Sequence, residues 1–381
     1  MAGLGNFLAF TRIWHCLVLL SCAVFAGSCA PRPGAEILNP VQASVPGAKI
    51  VTVYVATTRE RRVPHSNVFA SSRAHGVNYA EFKISIPPVH QPGRIEWPTG
   101  AVEPARDFAT IQQEVLDRET FYKRIAARGG RGAPNNAGVF VHGFNNNFQE
   151  SLYRLAQLTA DSDMQGVPIL FAWPSEAKVS GYLADRDAVT YSRDQLADLL
   201  VSVSRPPSTG QVLLLGHSMG GWLTAEALRQ LRLTRQDATL RRLKVVLASP
   251  DIDVDVFKAQ MEVIGPLTPP MTILVSRKDL ALALSSRLAG NRPRVGRLDV
   301  DDPRVQEAAL RGDLQIVDVS SSGPDDPVGH SGYIQLASLY GRLNEQGPAG
   351  GLRQAGAFVV NTVGAGLSAP FTFVGSALAD E

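Results

Sequence analysis

A serine between two glycines is the first group in this chain that could do chemistry. Residues 216–220 read Gly-His-Ser-Met-Gly; they follow the aliphatic residues 212–215 and precede a helical pattern near Leu223. A sharp turn from strand to helix exposes such a serine at the edge of a sheet, and its glycines let neighbouring chain pass closely. The positive end of the helix favours negative charge there. This context predicts Ser218 as the nucleophile of an acyl transfer, against the alternative of an ordinary glycine-rich turn.

A serine hydroxyl needs a base, and imidazole has the intrinsic pKa for that role. His330 is the only histidine that follows Ser218, and it lies in a glycine-containing loop after the last predicted strand. We therefore expect His330 to be the base. Five further histidines are expected either to shape the two turns or to precede the regular strands; they are His142, His217, His65, His75 and His90.

An acid must orient the imidazole and stabilise the imidazolium. Asp279 follows the apolar residues 271–275 and lies between Ser218 and His330, which gives the chain order Ser, Asp, His. It is the favoured candidate. Asp251 and Asp253 follow the preceding apolar run and stay open as alternative acids. If they are not acids, they are expected to cap a helix or to line the rim of a pocket.

The tetrahedral oxyanion of an acyl transfer needs two backbone donors. The N–H of Met219, directly after the serine, is predicted to be one of them. The other is expected from Phe144, because residues 142–144, His-Gly-Phe, follow the apolar residues 138–141. The three asparagines at 145–147 either hold this loop through their side chains or cap the following helix.

Short apolar runs alternate with helical patterns through the middle of the chain. Six strands are predicted in this regular part, after two opening strands; the ranges are 138–141, 167–173, 212–215, 243–248, 271–275 and 314–319, preceded by 49–56 and 79–86. Helices are expected between them, with a polar helix over 106–128 and a closing helix over 334–343. Apolar strands alternating with helices indicate the α/β class, with a mostly parallel sheet covered on both faces.

No long insertion separates residue 248 from residue 271, so we expect no large cap over the site. Residues 175–191 and 285–312 are the segments left to shape the pocket. Arginines fall close together in the second segment and either meet an anionic substrate or lipid headgroup or form a solvated basic loop; they are Arg287, Arg292, Arg294 and Arg297.

A set of short motifs occurs in one order along the chain: Val-His-Gly-Phe-Asn-Asn at 141–146, Phe-Ala-Trp-Pro-Ser at 171–175, Tyr-Leu-Ala-Asp-Arg at 182–186, Gly-His-Ser-Met-Gly at 216–220, Ser-Pro-Asp-Ile-Asp at 249–253 and Gly-His-Ser at 329–331. Together they resemble a bacterial family of α/β hydrolases, domain of unknown function 900, over residues 51–343. The resemblance implies the α/β-hydrolase fold and a triad of Ser218, Asp279 and His330. It also implies acids at Asp251 and Asp253, and it implies no substrate.

Charge and composition exclude some classes of partner. The chain has 381 residues with 37 basic and 35 acidic side chains, so no field of one sign exists to attract nucleic acid. A hydrophobic content of 45% is enough for one large core. The histidines lack the spacing of metal ligands, so we expect no metal and no cofactor. The expected partner is a small-molecule ester substrate.

The first residues indicate location. The apolar residues 13–25 have the length of the core of a signal peptide and are too short to span a bilayer. Residues 26–29, Ala-Gly-Ser-Cys, resemble a lipobox, in which the chain is cut before the cysteine and the cysteine is acylated. Cys29 is therefore predicted to carry a lipid anchor in the bacterial cell envelope, on the periplasmic side. The alternatives are an ordinary secretory signal, with a secreted product, and an uncleaved anchor.

The predicted organisation has four parts: a lipoprotein-type signal peptide over 1–28, a flexible tether over 29–47, a catalytic domain over 48–345 and a Gly/Ala-rich apolar tail over 346–381. The tail is expected to be frayed or loosely docked. The predicted activity is a serine hydrolase that cleaves a carboxylic ester through an acyl-enzyme. The same triad could act on thioesters or amides or carry out perhydrolysis, and a non-catalytic envelope lipoprotein that uses the fold for binding stays as the alternative.

Overall fold

The computed structural model describes residues 32–42, 44–128, 135–162, 166–206, 209–320, 328–334 and 358–360. The predicted signal peptide, the lipidation site Cys29, most of the closing helix and most of the tail lie outside these residues. Contacts divide the chain at residue 36, and the fold described below is that of residues 37–381. Within the described ranges, the helices are too short or too polar to cross a membrane.

The strands are β1 Lys49–Arg61, β2 Phe69–Ile86, β3 Ala109–Leu116, β4 Asn135–Val141, β5 Val167–Ala172, β6 Thr209–His217, β7 Leu243–Ala248, β8 Met271–Val275, β9 Leu314–Asp318 and β10 Phe358–Val360. They form one sheet in the order β10-β9-β8-β7-β6-β4-β5-β1-β2-β3. From β9 to β1 all neighbours pair in parallel, whereas β2, β3 and β10 pair antiparallel with theirs. The predicted α/β class with a mostly parallel sheet is confirmed.

The helices are α1 Arg118–Ala127, α2 Phe148–Asp161, α3 Tyr182–Tyr191, α4 Arg193–Ser204, α5 Met219–Leu233, α6 Asp237–Leu240, α7 Val254–Ile264, α8 Leu280–Leu288 and α9 Pro303–Gly312, with 3-10 turns at Val179–Gly181 and Val295–Arg297. Neighbouring side chains of β1 belong to different core clusters, because successive residues of a strand point to opposite faces. Tyr54 packs with Phe121 of α1, and Val53 lies in the cluster that contains Phe148 of α2. Helices therefore cover both faces of the sheet.

The helix predicted over 106–128 is wrong in its first half. Residues 109–116 form β3, which pairs antiparallel with β2 from Tyr79 opposite Leu116 to Ser85 opposite Ala109. The open edge of β2 supplies hydrogen-bond partners that override the polar composition of this segment, as tertiary context often does. Helix α1 begins only after Asp117, whose carboxylate accepts a hydrogen bond from the N–H of Thr120 at 2.7 Å.

Two other segments differ from expectation. Residues 175–191, expected only as a connection that shapes the pocket, contain α3. Within the predicted tail, residues 358–360 pair antiparallel with residues 316–318 of β9 and so extend the sheet by one strand. The exposed edge of β9 offers unpaired backbone groups, which explains why a short apolar segment is held there.

Candidate active site

Ser218 lies at the turn from β6 to α5, at the carboxyl edge of the sheet. Its backbone has φ 54° and ψ −121°, a region that a residue other than glycine rarely adopts. The turn is held from β7, because the N–H of Ser218 donates to the carbonyl of Ala248 at 2.9 Å and its own carbonyl accepts from the N–H of Asp251 at 3.1 Å. The strained turn places the serine at the N-terminus of α5, where the helix favours negative charge.

Two glycines allow the chain to close around this turn. A Cβ on Gly143 would lie 2.9 Å from the Cβ of Ser218 and 2.8 Å from Nδ1 of His217. A Cβ on Gly220 would overlap the carbonyl oxygens of Val141 and His142. Any larger residue at either position would push the loop after β4 away from the serine, so these glycines are needed for close approach.

The structure brings His330 and Asp279 together at the same edge. Nδ1 of His330 lies 2.6 Å from Oδ2 of Asp279, whose side chain is fully buried, while His330 is 17% exposed. The other oxygen of Asp279 accepts a hydrogen bond from the N–H of Leu282 at 2.9 Å, so this aspartate also caps α8. The loop that carries His330 is tied to the same helix, since Leu280 N–H donates to the carbonyl of Val328 at 2.8 Å.

His330 contacts His217, the residue that precedes Ser218 in the chain. The carbonyl of His330 accepts a hydrogen bond from Nε2 of His217 at 3.2 Å, and the two rings are 4.7 Å apart. Burial lowers the pKa of His217 well below its ordinary value, so its ring is neutral and donates from Nε2. His142, in the neighbouring turn, is also buried, which lowers its pKa to about 3. Both residues support the turns that surround Ser218.

The loop expected to supply the second oxyanion donor, residues 143–147, is held by a buried arginine. Arg59 donates to the carbonyls of Asn146 at 3.0 Å and Ser175 at 3.2 Å. Burial lowers the pKa of Arg59 to about 10, which leaves the guanidinium charged at neutral pH. Asn147 caps α2 through a reciprocal pair of 2.8 Å hydrogen bonds with Glu150. Of the two roles predicted for the asparagines, Asn147 therefore has the capping role, and Asn146 meets Arg59 through its backbone.

Asp185 supports the same loop from α3. Its carboxylate accepts hydrogen bonds from the hydroxyl of Ser175 at 2.6 Å and the N–H of Glu176 at 2.7 Å, and one from the N–H of Asn145. Burial raises the pKa of Asp185, and these hydrogen bonds offset part of that effect. Arg59 and Asp185 were not predicted as site residues, although Asp185 lies in the motif at 182–186 that the resembled family shares. Their burial, which assigns them this role, depends on the tertiary structure.

The alternative acids contact other groups. Oδ1 of Asp251 lies 3.2 Å from Nε of Arg294 and accepts a hydrogen bond from Ser285 at 2.5 Å, and its Oδ2 accepts one from Tyr182 at 2.9 Å. All four side chains are buried. Asp253 caps α7, because its carboxylate accepts hydrogen bonds from two N–H groups of the first turn at 2.9 and 3.2 Å. The helix-capping alternative thus describes Asp253, and Asp251 is bound to an arginine.

The four arginines predicted as one group separate in the structure. Arg294 is buried against Asp251. Arg297 is half-buried and donates to the backbone carbonyl of Arg277 at 2.8 Å. Arg287 and Arg292 are exposed. The prediction that all four meet an anionic group or form a solvated loop is therefore wrong for Arg294, because a buried carboxylate neutralises it.

A separate cavity of about 660 Å³ lies between the β2–β3 edge and helices α1 and α4. Its lining includes Arg61, Tyr79, Arg118, Tyr122 and Gln195, and none of the predicted site residues. Within the described ranges, no three His, Cys, Asp or Glu side chains are grouped so that they could hold a metal ion.

A model of the family described as "alpha/beta hydrolase of unknown function (DUF900)" matches residues 128–346, and the chain belongs to this family. The resemblance and the α/β-hydrolase fold are thereby confirmed. Among solved structures, a candidate hydrolase from Agrobacterium vitis S4 is 14% identical, with 58% of this chain and 83% of that chain covered and a TM-score of 0.26. No curated protein matches the chain.

Proposed function

We propose that this protein is a serine hydrolase that cleaves a carboxylic ester through an acyl-enzyme. The observation that carries the proposal is the 2.6 Å contact between His330 and buried Asp279, at the sheet edge where Ser218 occupies its strained turn. A nucleophile, a base and an orienting acid held by three different loops at one edge are the parts that serine acyl transfer needs.

In the proposed reaction, Ser218 Oγ attacks the ester carbonyl while Nε2 of His330 accepts its proton. Asp279 keeps the proton on Nδ1 and stabilises the imidazolium. The N–H groups of Met219 and Phe144 donate to the oxyanion. Collapse breaks the C–O bond, and His330 returns the proton to the leaving alcohol. A water molecule, activated by the same imidazole, then attacks the acyl-enzyme and releases the acid.

A fluorophosphonate probe tests the proposal, because it reacts only with an activated serine. We expect the full chain to be labelled on Ser218, and Ser218→Ala and His330→Gln to be unlabelled. Ser249→Ala is the matched control: this serine is also buried, has a positive φ of 44° and follows the neighbouring strand β7. Labelling of the control should match the wild type. A wild-type chain that stays unlabelled, or a Ser218→Ala variant that still reacts, would refute the proposal.

Hydrolysis of p-nitrophenyl esters of increasing chain length gives the second test. We expect turnover by the wild type and none above background by Ser218→Ala. Amide and thioester analogues of the same acyl group should be cleaved more slowly than the ester. Faster cleavage of the amide or the thioester would show that the preferred substrate is that class of compound and not a carboxylic ester.

A further inference from the structure

Large apolar side chains are exposed around the predicted site. Helix α8 presents Leu280, Leu284 and Leu288 outward at a spacing of four residues, which places them on one face of the helix. Val328, two residues before His330, is also exposed. We call these four residues the leucine face.

The leucine face lies at the carboxyl edge of the sheet. Asp279 caps the start of α8 and contacts His330. On the inner face of α8, the hydroxyl of Ser285 donates to Asp251. The N–H of Asp251 donates to the carbonyl of Ser218. Leu282 and Ser285 are buried on that inner side. The helix therefore runs across the edge that holds the proposed catalytic residues, with its leucines directed away from the protein.

A second exposed apolar pair lies at the start of α3 and in the turn before it, close in sequence to Tyr182, which contacts α8. The hydroxyl of Tyr182 lies 2.8 Å from the hydroxyl of Ser285, which joins the start of α3 to α8. Next to Tyr182, Leu183 is 72% exposed, and Val179 in the preceding turn is 62% exposed. Solvent-exposed apolar residues gathered on one face mark an interaction surface, whereas single ones need no explanation.

Exposed cations alternate with these apolar residues. Lys178 precedes Val179, Lys278 lies two residues before Leu280, and Arg287 precedes Leu288. Arg292, also exposed, follows the end of α8 and lies 3.7 Å from Asp255. Apolar side chains interleaved with lysine and arginine match the interface of an anionic bilayer, where the leucines enter the acyl region and the cations reach the headgroups.

We propose that the leucine face, with Val179 and Leu183, docks on an anionic lipid surface and that the ester substrate is a lipid taken from that surface. The proposal rests on the proposed function for the identity of the reacting group. Docking at this edge would bring the bilayer to the mouth of the site, so that an acyl ester could reach Ser218 without crossing water.

The experiment maps contacts between the full-length Ser218→Ala protein and vesicles that contain a photoactivatable phospholipid. Vesicles are made from phosphatidylcholine with and without phosphatidylglycerol, and cross-linked peptides are identified by mass spectrometry. We expect peptides that cover 178–184 and 278–289 to be labelled at least about tenfold more than peptides that cover 229–235 and 303–312, since the leucines of the first set would be buried in the acyl region. Labelling should fall without phosphatidylglycerol and at high salt.

The matched variants are Leu284→Ser with Leu288→Ser, and Leu233→Ser with Leu310→Ser. All four leucines are exposed, but Leu233 ends α5 and Leu310 lies in the last turn of α9, so both are near the amino edge of the sheet. The first double variant should lose labelling of 278–289, at an unchanged melting temperature, and the second should keep it. Equal labelling of the two edges, labelling confined to residues 1–31, or full labelling of the first double variant would overturn the proposal. Because Ser218→Ala cannot hydrolyse an ester, this result is independent of the fluorophosphonate test of the proposed function.

Discussion

Asp251 and Asp279 follow the neighbouring strands β7 and β8, and both carboxylates are buried at the same edge of the sheet. Asp279 contacts the imidazole of His330, the side-chain type that acts as a base toward a serine hydroxyl. Asp251 contacts the guanidinium of Arg294, which has donors but no acceptor, together with Tyr182 and Ser285. Burial and position are shared, so the partner that each carboxylate meets is what separates a candidate catalytic acid from a carboxylate that holds the scaffold together.

The largest effect expected from this comparison is on activity. Asp279→Asn keeps an oxygen that can cap α8 at Leu282, but it can no longer hold the proton on Nδ1 of His330 or stabilise the imidazolium. We expect kcat/KM for a p-nitrophenyl ester to fall by about 10⁴-fold, with little loss of stability. Steady-state kinetics and urea unfolding of the purified variant measure the two quantities.

Asp253→Asn is the matched control for that variant. Asp253 caps α7 as Asp279 caps α8, but it has no histidine partner among the described residues. Its substitution should leave kcat/KM within a few-fold of the wild type. If Asp251→Asn lost activity by several orders of magnitude while Asp279→Asn kept it, Asp251 and not Asp279 would be the catalytic acid.

The next effect is on stability. Asp251→Asn leaves Arg294 buried without its counter-charge, and we expect a loss of about 3–5 kcal/mol in the free energy of unfolding. The rate of fluorophosphonate labelling per folded molecule should fall far less than in Asp279→Asn. Urea denaturation gives the first quantity and timed labelling gives the second.

Replacing both partners sharpens this prediction. The double variant Asp251→Leu with Arg294→Met removes both charges together, so it should be more stable than Asp251→Asn in urea. Instability of the double variant equal to or greater than that of Asp251→Asn would show that the pair contributes through packing or through Tyr182 and Ser285 rather than through charge compensation.

Local pattern was enough to predict some parts of this site and not others. The turn at Ser218 is encoded within a few residues, since its glycines, preceding strand and following helix are adjacent in the chain. Asp279 and His330 could be proposed because each follows a strand of a regular α/β pattern. Whether Asp279 or Asp251 meets the histidine depended on where Arg294 lies, and no local spacing indicates that this arginine turns inward.

The errors in the predicted fold have the same cause, because local sequence does not show contacts between distant segments. Residues 109–116 are polar enough to favour a helix, and the unpaired edge of β2 makes them a strand. Arg59 lies beyond the predicted opening strand 49–56 and carries no predicted role. Its role at the loop 143–147 needs β1 to lie beside β5, so that the guanidinium reaches Asn146 and Ser175. Contacts between distant segments decided each of these outcomes.

A smaller effect is expected at Tyr182, which binds Asp251 but not Asp279. Tyr182→Phe removes a hydrogen bond to a buried carboxylate and should cost about 1.5–3 kcal/mol of stability. In Tyr191→Phe, the control, the lost hydrogen bond of 2.6 Å goes to the neutral carbonyl of Ala74, so the expected cost is about 0.5–1.5 kcal/mol. Equal losses in the two variants, measured by urea unfolding, would argue against a charged acceptor at Tyr182.

His90 also contacts carboxylates, so it tests whether a histidine–carboxylate contact like that of His330 and Asp279 is enough to identify a catalytic site. His90 lies 2.7 Å from Glu96 through Nδ1 and 2.8 Å from Asp161 through Nε2, so carboxylates occupy both ring nitrogens. Burial, the largest influence, lowers the pKa of His90, but the hydrogen bonds to Asp161 and Glu96 outweigh it and the pKa is raised overall. Because both ring nitrogens are engaged, this imidazole has a structural role: it links the segment after β2 to the end of α2.

The sign of the pH effect follows from the raised pKa. A histidine whose pKa is higher in the folded than in the unfolded chain stabilises the fold fully below the unfolded value of about 6.5, and that contribution is lost as the pH rises through the folded value. We expect the free energy of unfolding of the wild type, relative to that of His90→Gln, to decline over this range. The variant should be labelled by the fluorophosphonate at the wild-type rate, whereas His330→Gln should lose labelling. If the difference in free energy of unfolding between the wild type and His90→Gln does not change with pH, His90 is neutral in its contacts with Glu96 and Asp161.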